Sequence, residues 1–321
     1  MSNTILVTGG SGFIGSNVVD KLLSLSYRVV SIDNYDRHYD RITKEKNLTL
    51  ASQHPLFSSY EVDIRDKQSL RELFQKYSFD LVIHLAGKVG VRPSIADPSG
   101  YYDVNVSGTI TLLECMREYY VKKMLFASSS SVYGNNVKIP FAETDRVDNP
   151  ISPYAASKKS AELVLHTYHQ LHGLDVICFR FFTVYGQRQR PDLAIHQFFK
   201  NLYHDIPIDV YGNGSTSRDY TYVDDITDGV VAGMTYLTNN TGVYEIMNLG
   251  NHSPVTLQHL ISLIEEVSGK KFKVNTLPMQ PGDVERTYAD IEKSRQFLAF
   301  NPQTTLAEGL EKFWSWFRKN P

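Results

Sequence analysis

The sequence predicts an α/β fold: a doubly wound parallel sheet of the Rossmann type with a smaller, interleaved α/β domain. Two observations predict it. Short apolar runs of strand length alternate with stretches of helical spacing, and the first run ends in a glycine-rich turn that leads into a helix. Such alternation is typical of parallel strands joined by helical crossovers. Because both faces of a parallel sheet are covered, its strands are apolar almost throughout, as these runs are.

The apolar runs place six strands in the first part of the chain, at residues 5–7, 29–32, 60–62, 81–85, 124–127 and 176–179. After Gly186 this rhythm breaks, and residues 187–221 are rich in turn-forming residues. We therefore predict a Rossmann domain of residues 1–186 and 222–250, interleaved with a smaller domain of residues 187–221 and 251–321.

The composition argues against several classes of protein. The chain has 321 residues and a net charge of -2, so no basic surface suggests a nucleic-acid or anionic-membrane partner. No apolar run approaches the ~20 residues of a spanning helix, and the N-terminus lacks the form of a signal peptide. Cys115 falls in a predicted helix and Cys178 in a predicted strand, which suits two buried thiols in a reducing compartment. We expect a cytoplasmic protein.

The turn after the first strand, residues 9–15, is Gly-Gly-Ser-Gly-Phe-Ile-Gly. Gly9, Gly12 and Gly15 would let the backbone approach a pyrophosphate, and the helix that starts at Phe13 and Ile14 offers free N–H groups. A tight turn without a ligand is the alternative. The position between a strand and a helix favours a dinucleotide site.

Asp33 ends the second strand at the distance from the turn that a ribose-binding carboxylate occupies in dinucleotide sites. Its carboxylate would accept hydrogen bonds from the adenosine ribose hydroxyls and repel a 2′-phosphate, which favours NAD over NADP. The alternative is a helix or turn cap.

Tyr154 and Lys158 stand four residues apart in a predicted helix, so their side chains share one face. A free tyrosine has a pKa of ~10, and a nearby ammonium favours its phenolate. Such a pair can take a proton from a sugar hydroxyl while hydride leaves to NAD. A solvated helix face is the alternative interpretation.

Four serines, residues 128–131, follow the predicted strand at 124–127. They fall at the carboxyl end of that strand, where open α/β sheets bind ligands. Together with the glycine turn, Asp33 and the Tyr154–Lys158 pair, in this order, they favour redox chemistry on a hydroxyl-bearing substrate.

On these motifs the chain resembles the extended short-chain dehydrogenase/reductases, in particular the nucleotide-sugar 4-epimerases and among them the UDP-glucuronate 4-epimerases. Residues 84–87, 105–109, 128–134 and 218–225 carry the resemblance further. It implies an NAD-dependent epimerase in which C4 of a UDP-hexose is oxidised to a ketone, the sugar turns over, and hydride returns to the other face. Ser129, Tyr154 and Lys158 match the catalytic positions of the family.

The resemblance also implies the binding residues. The larger domain would hold NAD through Gly9, Gly12, Phe13, Ile14, Gly15, Asp33, Asn34, Asp63, Ile64, Leu85, Ala86, Gly87, Asn105, Tyr154 and Lys158. The smaller domain and its neighbours would hold the nucleotide sugar through Lys88, Arg92, Ser130, Thr183, Arg190, Asp209, Tyr211, Arg218 and Asp283. Within this set, Arg218 matches a diphosphate ligand, Asp283 a uridine-ribose ligand, and Asp209 with Tyr211 the uracil-contacting segment.

Residues 180–194 and 91–94 are similar to UDP-glucuronate 4-epimerases, and so is Asp33-Asn34 followed by Tyr39-Asp40 and a basic helix. A C6 carboxylate needs cations or oriented donors. Arg190 with Thr183 and Ser130 could supply them, with Arg92 as a second candidate. The alternative is that Arg188 and Arg190 are solvated loop charges.

The carboxylate bears on the outcome of the reaction. A 4-keto uronate is a β-keto acid and loses carbon dioxide unless its carboxylate is held in an unreactive orientation. Related decarboxylases carry an acid at the position of Ser131, and related 4,6-dehydratases carry an Asp-Glu pair in this segment. Since Ser130 and Ser131 stand there, we expect simple epimerisation.

Two other functions remain open: a 4-epimerase of UDP-glucose or UDP-N-acetylglucosamine, and a nucleotide-sensing Rossmann protein without turnover. Thr287, small where some relatives are larger, leaves room for an acetamido group. His166, His169 and His172 recur along one helix, and we interpret them as a solvated or dimer-facing stripe, so no metal is expected. By analogy with the family, residues 109–119 and 154–172 would form a homodimer interface.

Overall fold

In the computed structural model of the protein, residues 3–278 and 285–320 are described. The strands are β1 (Thr4–Thr8), β2 (Arg28–Asp33), β3 (Phe57–Glu61), β4 (Leu81–His84), β5 (Lys123–Ser129), β6 (Asp175–Phe181), β7 (Thr183–Tyr185), β8 (Ile208–Tyr211), β9 (Ser217–Tyr222), β10 (Tyr244–Leu249), β11 (Pro254–Thr256) and β12 (Val274–Leu277). The helices are α1 (Phe13–Ser24), α2 (Arg41–Asn47), α3 (Lys67–Lys76), α4 (Val91–Ala96), α5 (Pro98–Tyr102), α6 (Thr109–Glu118), α7 (Pro153–His172), α8 (Ala194–Tyr203), α9 (Val223–Asn239), α10 (Leu257–Ser268), α11 (Glu292–Leu298) and α12 (Leu306–Lys319).

Seven of these strands form one sheet in the order β10-β6-β5-β4-β1-β2-β3, and every neighbouring pair in it is parallel. The strand order reverses at β1, which pairs with β2 on one side and β4 on the other. The predicted doubly wound Rossmann sheet is therefore confirmed. In such sheets the ligand crevice lies at the carboxyl ends of the strands beside the reversal.

The core lies on both faces of this sheet. Along β1, Ile5 and Val7 pack in one apolar cluster, and Leu6 packs in the other. Because successive side chains of a strand point to opposite faces, a strand buried on both sides is apolar at most positions. This is why most of the strand segments could be predicted from nearly continuous apolar runs.

Two smaller sheets accompany the main sheet. One has the order β11-β9-β7, and the other pairs β12 with β8. The boundaries of the two interleaved domains remain a prediction.

The structure corrects two details of the sequence interpretation. Strand β3 covers Phe57–Glu61, earlier than the predicted residues 60–62. Residues 187–221, interpreted as turn-rich, contain helix α8, in which Ile195, Phe198, Phe199 and Leu202 are buried. Their spacing is that of an amphipathic helix, but the turn signals on both sides obscured it.

Both cysteines are buried free thiols, as predicted, with Cys115 in α6 and Cys178 in β6. Within residues 3–278 and 285–320, none of the helices is both long and apolar enough to cross a bilayer.

Candidate active site

A cleft of about 500 Å³ opens at the carboxyl ends of β1, β2, β4 and β5. Its wall contains the glycine turn, Asp33, the segment after β4, the end of β5, the start of α7, and residues between β7 and α8. The predicted site residues that line it are Gly9, Gly12, Phe13, Ile14, Gly15, Asp33, Asn34, Ile64, Leu85, Ala86, Gly87, Lys88, Ser129, Tyr154, Lys158, Thr183 and Arg190.

The glycine turn is shaped to admit a ligand against bare backbone. Gly9 has a φ of 70°, and a Cβ there would lie 2.7 Å from the backbone nitrogen of Ala86. Helix α1 begins at Phe13 with Gly12 as its N-cap, so no side chain covers its first N–H groups. A pyrophosphate fits this arrangement, because free N–H groups and the positive end of the helix dipole point at it.

Asp33 is buried at the end of β2 and is held by two backbone donors. Its Oδ2 accepts from the Ser11 N–H at 3.2 Å and its Oδ1 from the Tyr35 N–H at 2.8 Å. A carboxylate has about four acceptor positions, so two remain for the hydroxyls of a ribose. This geometry suits the role predicted for Asp33.

Lys44 is a residue that the sequence interpretation did not single out. It is buried in α2, and its Nζ lies 3.6 Å from Oδ1 of Asp33. An ammonium beside this carboxylate adds charged donors at the ribose end of the cleft. The basic start of the helix after Asp40 was its only signal in the sequence.

Two predicted cofactor residues lie behind the lining and support it. Asp63 accepts a hydrogen bond from Asn34 Nδ2 at 2.9 Å, and Arg65 lowers the pKa of Asp63 to about 2. Asn105 is buried and donates to the Lys88 carbonyl at 3.0 Å while accepting from the Lys88 N–H at 2.8 Å. Asp63 thus holds the side chain of Asn34, and Asn105 holds the backbone of Lys88, and both of these residues line the cleft.

Tyr154 and Lys158 lie on the buried face of α7, whose first turn is capped by Ser152. Lys158 Nζ donates to the Ala127 carbonyl at 2.7 Å, and a Cβ on Gly87 would lie 3.2 Å from the same Nζ. Burial lowers the pKa of Lys158 to about 8. This ammonium therefore sits in an apolar place where its charge acts strongly on its neighbours.

Burial raises the pKa of Tyr154, whereas the hydroxyl of Ser129 and the charge of Arg190 act in the opposite direction. Ser129 ends β5, and its Oγ accepts from the Ser131 N–H at 3.1 Å. Burial keeps the phenol protonated in the ligand-free protein, and additional positive charge in the cleft would favour its phenolate.

A buried ion pair lies behind the serine segment. Glu162 of α7 accepts from Arg180 Nε at 3.0 Å and Nη2 at 2.9 Å, and also from Ser128 Oγ at 2.6 Å. The guanidinium lies 4.8 Å from the ring of Tyr133. These contacts tie α7, which carries Tyr154, to the strand that carries Ser129.

On the other side of the cleft, Arg190 is fixed by a carboxylate two residues away. Its Nε and Nη2 donate to Asp192 at 3.0 and 2.8 Å. Thr183, at the start of β7, lines the same wall. Lys88 Nζ donates to Asp97 at 2.7 Å.

Comparison with known proteins assigns the chain to a family. The profile of the GDP-mannose 4,6-dehydratase family matches residues 6–313. The chain belongs to this family of extended short-chain dehydrogenase/reductases. The predicted resemblance is therefore confirmed.

Several of the similar proteins are sugar-nucleotide epimerases by name. The UDP-glucuronate 4-epimerase of Thermodesulfobacterium geofontis is 42% identical over 98% of this chain and 96% of its own length. The crystal structure of UDP-glucuronic acid 4-epimerase from Bacillus cereus with UDP-glucuronic acid and NAD has a TM-score of 0.91 and 35% identity, covering 98% of this chain and 99% of that one. UDP-glucose 4-epimerase from Thermotoga maritima with UDP-glucose has a TM-score of 0.89 and 34% identity, covering 98% and 99%.

The remaining site residues predicted from the family resemblance lie outside the described cleft lining. Ser130 is half-buried in the 3₁₀ turn after β5. Arg92 and Tyr211 lie together, with the guanidinium 5.5 Å from the ring centroid. Asp209 accepts from Asn275 Nδ2 at 3.2 Å, and Arg218 Nη1 donates to the Ser217 carbonyl at 2.9 Å. The predicted ribose ligand, Asp283, lies outside the described residues.

The histidine stripe lies on α7, where His169 Nδ1 is 2.7 Å from the Leu174 carbonyl and the His166 ring packs edge-on against Tyr244. Across the described ranges, no cluster of three or more His, Cys, Asp or Glu side chains is arranged to hold a metal ion.

Proposed function

We propose that the protein is an NAD-dependent 4-epimerase of UDP-hexoses and that it converts UDP-glucuronate to UDP-galacturonate. The observation that carries the proposal is the shared cleft. Thr183 and Arg190 line the same cleft as Tyr154 and Lys158. A cation and a hydroxyl on one side and a proton-transfer pair on the other suit a uronate sugar. The relatives named for UDP-glucuronate support this choice of substrate.

The cleft suits NAD at its sheet side. Free N–H groups of α1 would hold the pyrophosphate, and Asp33 with Lys44 would hold the adenosine ribose. When bound, NAD supplies the acceptor and donor of hydride for sugar C4. The larger domain would thus bind the cofactor and the smaller one the nucleotide sugar.

Within the cleft, we assign proton transfer at the C4 hydroxyl to Tyr154. Ser129, whose hydroxyl lowers the pKa of Tyr154, would share a hydrogen bond with the C4 hydroxyl and orient it. The buried ammonium of Lys158 would stabilise the phenolate once it forms. The proton that Tyr154 removes in the first half of the reaction is returned by the same phenol in the second. No proton is consumed over the cycle.

Two features favour epimerisation over decarboxylation or elimination: residues that would hold the C6 carboxylate, and serines in place of the acids that related enzymes carry. Arg190 and Thr183 would fix the C6 carboxylate. This would keep the C5–C6 bond from aligning with the π orbitals of the C4 carbonyl, the alignment that decarboxylation requires. Ser130 and Ser131 stand where related decarboxylases and dehydratases carry acids. A 4-keto sugar in this cleft is therefore expected to turn over and be reduced.

The UDP end would lie toward Lys88, Arg92, Asp209, Tyr211 and Arg218, with Asp283 as the proposed uridine-ribose ligand. The close approach of Arg92 to the ring of Tyr211 supports a site that joins these segments.

We also propose a cytoplasmic homodimer. Ile110 on α6 and Leu163 on α7 are 37% and 56% exposed, and two such helices per subunit could cover one another.

The experiment is to incubate the purified protein with UDP-glucuronate and look for UDP-galacturonate. Wild-type conversion is expected, and Arg190→Ala should lose activity on the acid far more than on UDP-glucose. Arg295→Ala, which removes an exposed arginine paired with Glu292 on α11, is the control. Equal losses on both substrates would contradict the carboxylate assignment.

A second candidate is 4-epimerisation of a neutral UDP-hexose, which the similarity to the Thermotoga maritima enzyme favours. Thr287 is buried, and its Oγ1 accepts from the Asp219 N–H at 3.1 Å. If UDP-glucose or UDP-N-acetylglucosamine is epimerised and UDP-glucuronate is not, this candidate replaces the first. Absence of any product from every UDP-hexose would leave only the nucleotide-sensing function.

A further inference from the structure

The guanidinium of Arg190 is immobilised before any substrate arrives. It makes a two-point contact with Asp192, and the Arg190 side chain is only 14% exposed. The contact uses the Nε edge of the guanidinium. A guanidinium carries five N–H donors in a plane, so a second edge, formed by its two terminal nitrogens, can serve another carboxylate.

Asp192 is in turn held from across the cleft. His38 Nε2 lies 3.3 Å from Asp192 Oδ2. His38 belongs to the segment that begins at Asp33 and ends in α2 with Lys44, the segment that suits the adenosine ribose. The contacts from Arg190 through Asp192 to His38 therefore connect the side of the cleft proposed to hold the sugar with the side proposed to hold the cofactor.

Tyr39 marks a further polar position at this junction. Its Oη is buried without a hydrogen-bond partner in the described chain, and the residue lines the cleft. Burial and the charge of Asp33 raise the pKa of Tyr39, so the hydroxyl remains a donor. A buried donor without a partner indicates a bond that a ligand completes.

We propose that Asp192 is a positioning residue for the uronate carboxylate: it holds Arg190 so that the free edge of the guanidinium faces C6, and His38 steadies Asp192. The inference rests on the proposed uronate specificity and deepens it. An arginine that must be ordered on binding loses conformational entropy, whereas one already held by a carboxylate does not. Discrimination for a uronate would thus depend on a residue that does not itself contact the sugar.

The test measures Asp192→Asn in the NAD-loaded protein, with affinities for UDP-glucuronate and UDP-glucose from calorimetry and with steady-state rates. Asparagine keeps the size of the side chain but cannot accept both guanidinium bonds as an ion pair. We expect the Kd and KM for UDP-glucuronate to rise by roughly tenfold and those for UDP-glucose to change less than about twofold. Asp228→Asn, which removes a carboxylate paired with Lys21 at an exposed site, is the matched control.

A second readout reports the orientation of the carboxylate. In a loosened 4-keto uronate the C5–C6 bond breaks, carbon dioxide leaves, and the electron pair of that bond forms the C4–C5 double bond, which converts the C4 ketone to its enolate. Protonation at C5 then gives a 4-keto pentose, with the cofactor left reduced. We expect Asp192→Asn to release carbon dioxide and accumulate reduced cofactor with UDP-glucuronate, and the Asp228→Asn control to do neither.

A double variant separates positioning from a general structural effect. Asp192→Asn should change nothing further in an Arg190→Ala background, because Asp192 acts through Arg190. His38→Asn should act in the same direction but less, since its contact is single and partly exposed.

Three results would overturn the proposal. Tighter binding of UDP-glucuronate by Asp192→Asn would mean that Asp192 masks Arg190. Equal losses with both sugars, or additive losses in the double variant, would mean a structural role. In each case wild-type epimerisation of UDP-glucuronate would stand. A wild-type protein that neither binds nor converts UDP-glucuronate would overturn the proposed substrate, and this inference with it.

Discussion

We expect the buried ammonium of Lys158 to lower the free energy of unfolding of the protein. Its Nζ is buried near the start of α7, and burial lowers its pKa from 10.5 to about 8. That difference corresponds to a cost of about 3 kcal/mol at neutral pH for holding the ammonium in the folded state. Replacement by methionine removes this cost and keeps a side chain of similar shape.

The same substitution leaves the Ala127 carbonyl without its 2.7 Å donor. Losing that bond costs about 1–2 kcal/mol. We therefore expect Lys158→Met to increase the free energy of unfolding by about 1–2 kcal/mol at neutral pH. Epimerase activity should be abolished, because the cation that we propose to stabilise the Tyr154 phenolate is gone.

The stability difference between Lys158→Met and wild type should depend on pH. Since folding lowers the pKa of Lys158, the unfolded chain binds more protons than the folded protein between pH 8 and 10.5. Wild-type stability should rise across this window as the buried lysine becomes neutral, and the advantage of Lys158→Met should shrink. The assay is chemical denaturation of nucleotide-free protein at several pH values. Lys21→Met, at an exposed helix site, is the control.

A Lys158→Met protein that is less stable than wild type by an amount independent of pH would refute the reasoning. It would mean that the hydrogen bond to Ala127 outweighs the desolvation of the ammonium.

Three further predictions concern the same cleft. Tyr154→Phe should retain NAD, detected by absorbance of the released nucleotide, but lose epimerisation; retained turnover would remove Tyr154 from the proton-transfer role. Lys44→Met should weaken NAD binding roughly tenfold in calorimetry, because a buried charge-assisted donor at Asp33 is lost; unchanged affinity would place Lys44 outside the cofactor site. Glu162→Ala should destabilise the protein by about 3–5 kcal/mol in denaturant, since Arg180 would be left as an uncompensated buried charge; a loss below about 1 kcal/mol would show that water reaches the pair.

The parts of the site that could be predicted from the sequence are those encoded locally. The glycine turn, Asp33 at the end of β2, and the four-residue spacing of Tyr154 and Lys158 each depend on one strand, turn or helix. Their burial and placement follow once the strand order is known. This is why a linear pattern sufficed to bring them to one cleft.

The parts that could not be predicted depend on long-range contacts. Asp192 meets His38 across 154 positions of the chain, and no periodicity marks either residue. Arg92 and Tyr211 approach one another in the same way. Helix α8 was missed for a different reason, because turn-forming residues on both sides outweighed its apolar spacing.

The central claim is that hydride leaves C4 of the sugar and returns to the same carbon from the other side. The most direct test uses UDP-glucuronate carrying deuterium at C4, with the product analysed by mass spectrometry and nuclear magnetic resonance. The account predicts UDP-galacturonate with deuterium retained at C4. Deuterium lost to water, or UDP-galacturonate absent while the labelled substrate stays intact, would contradict it.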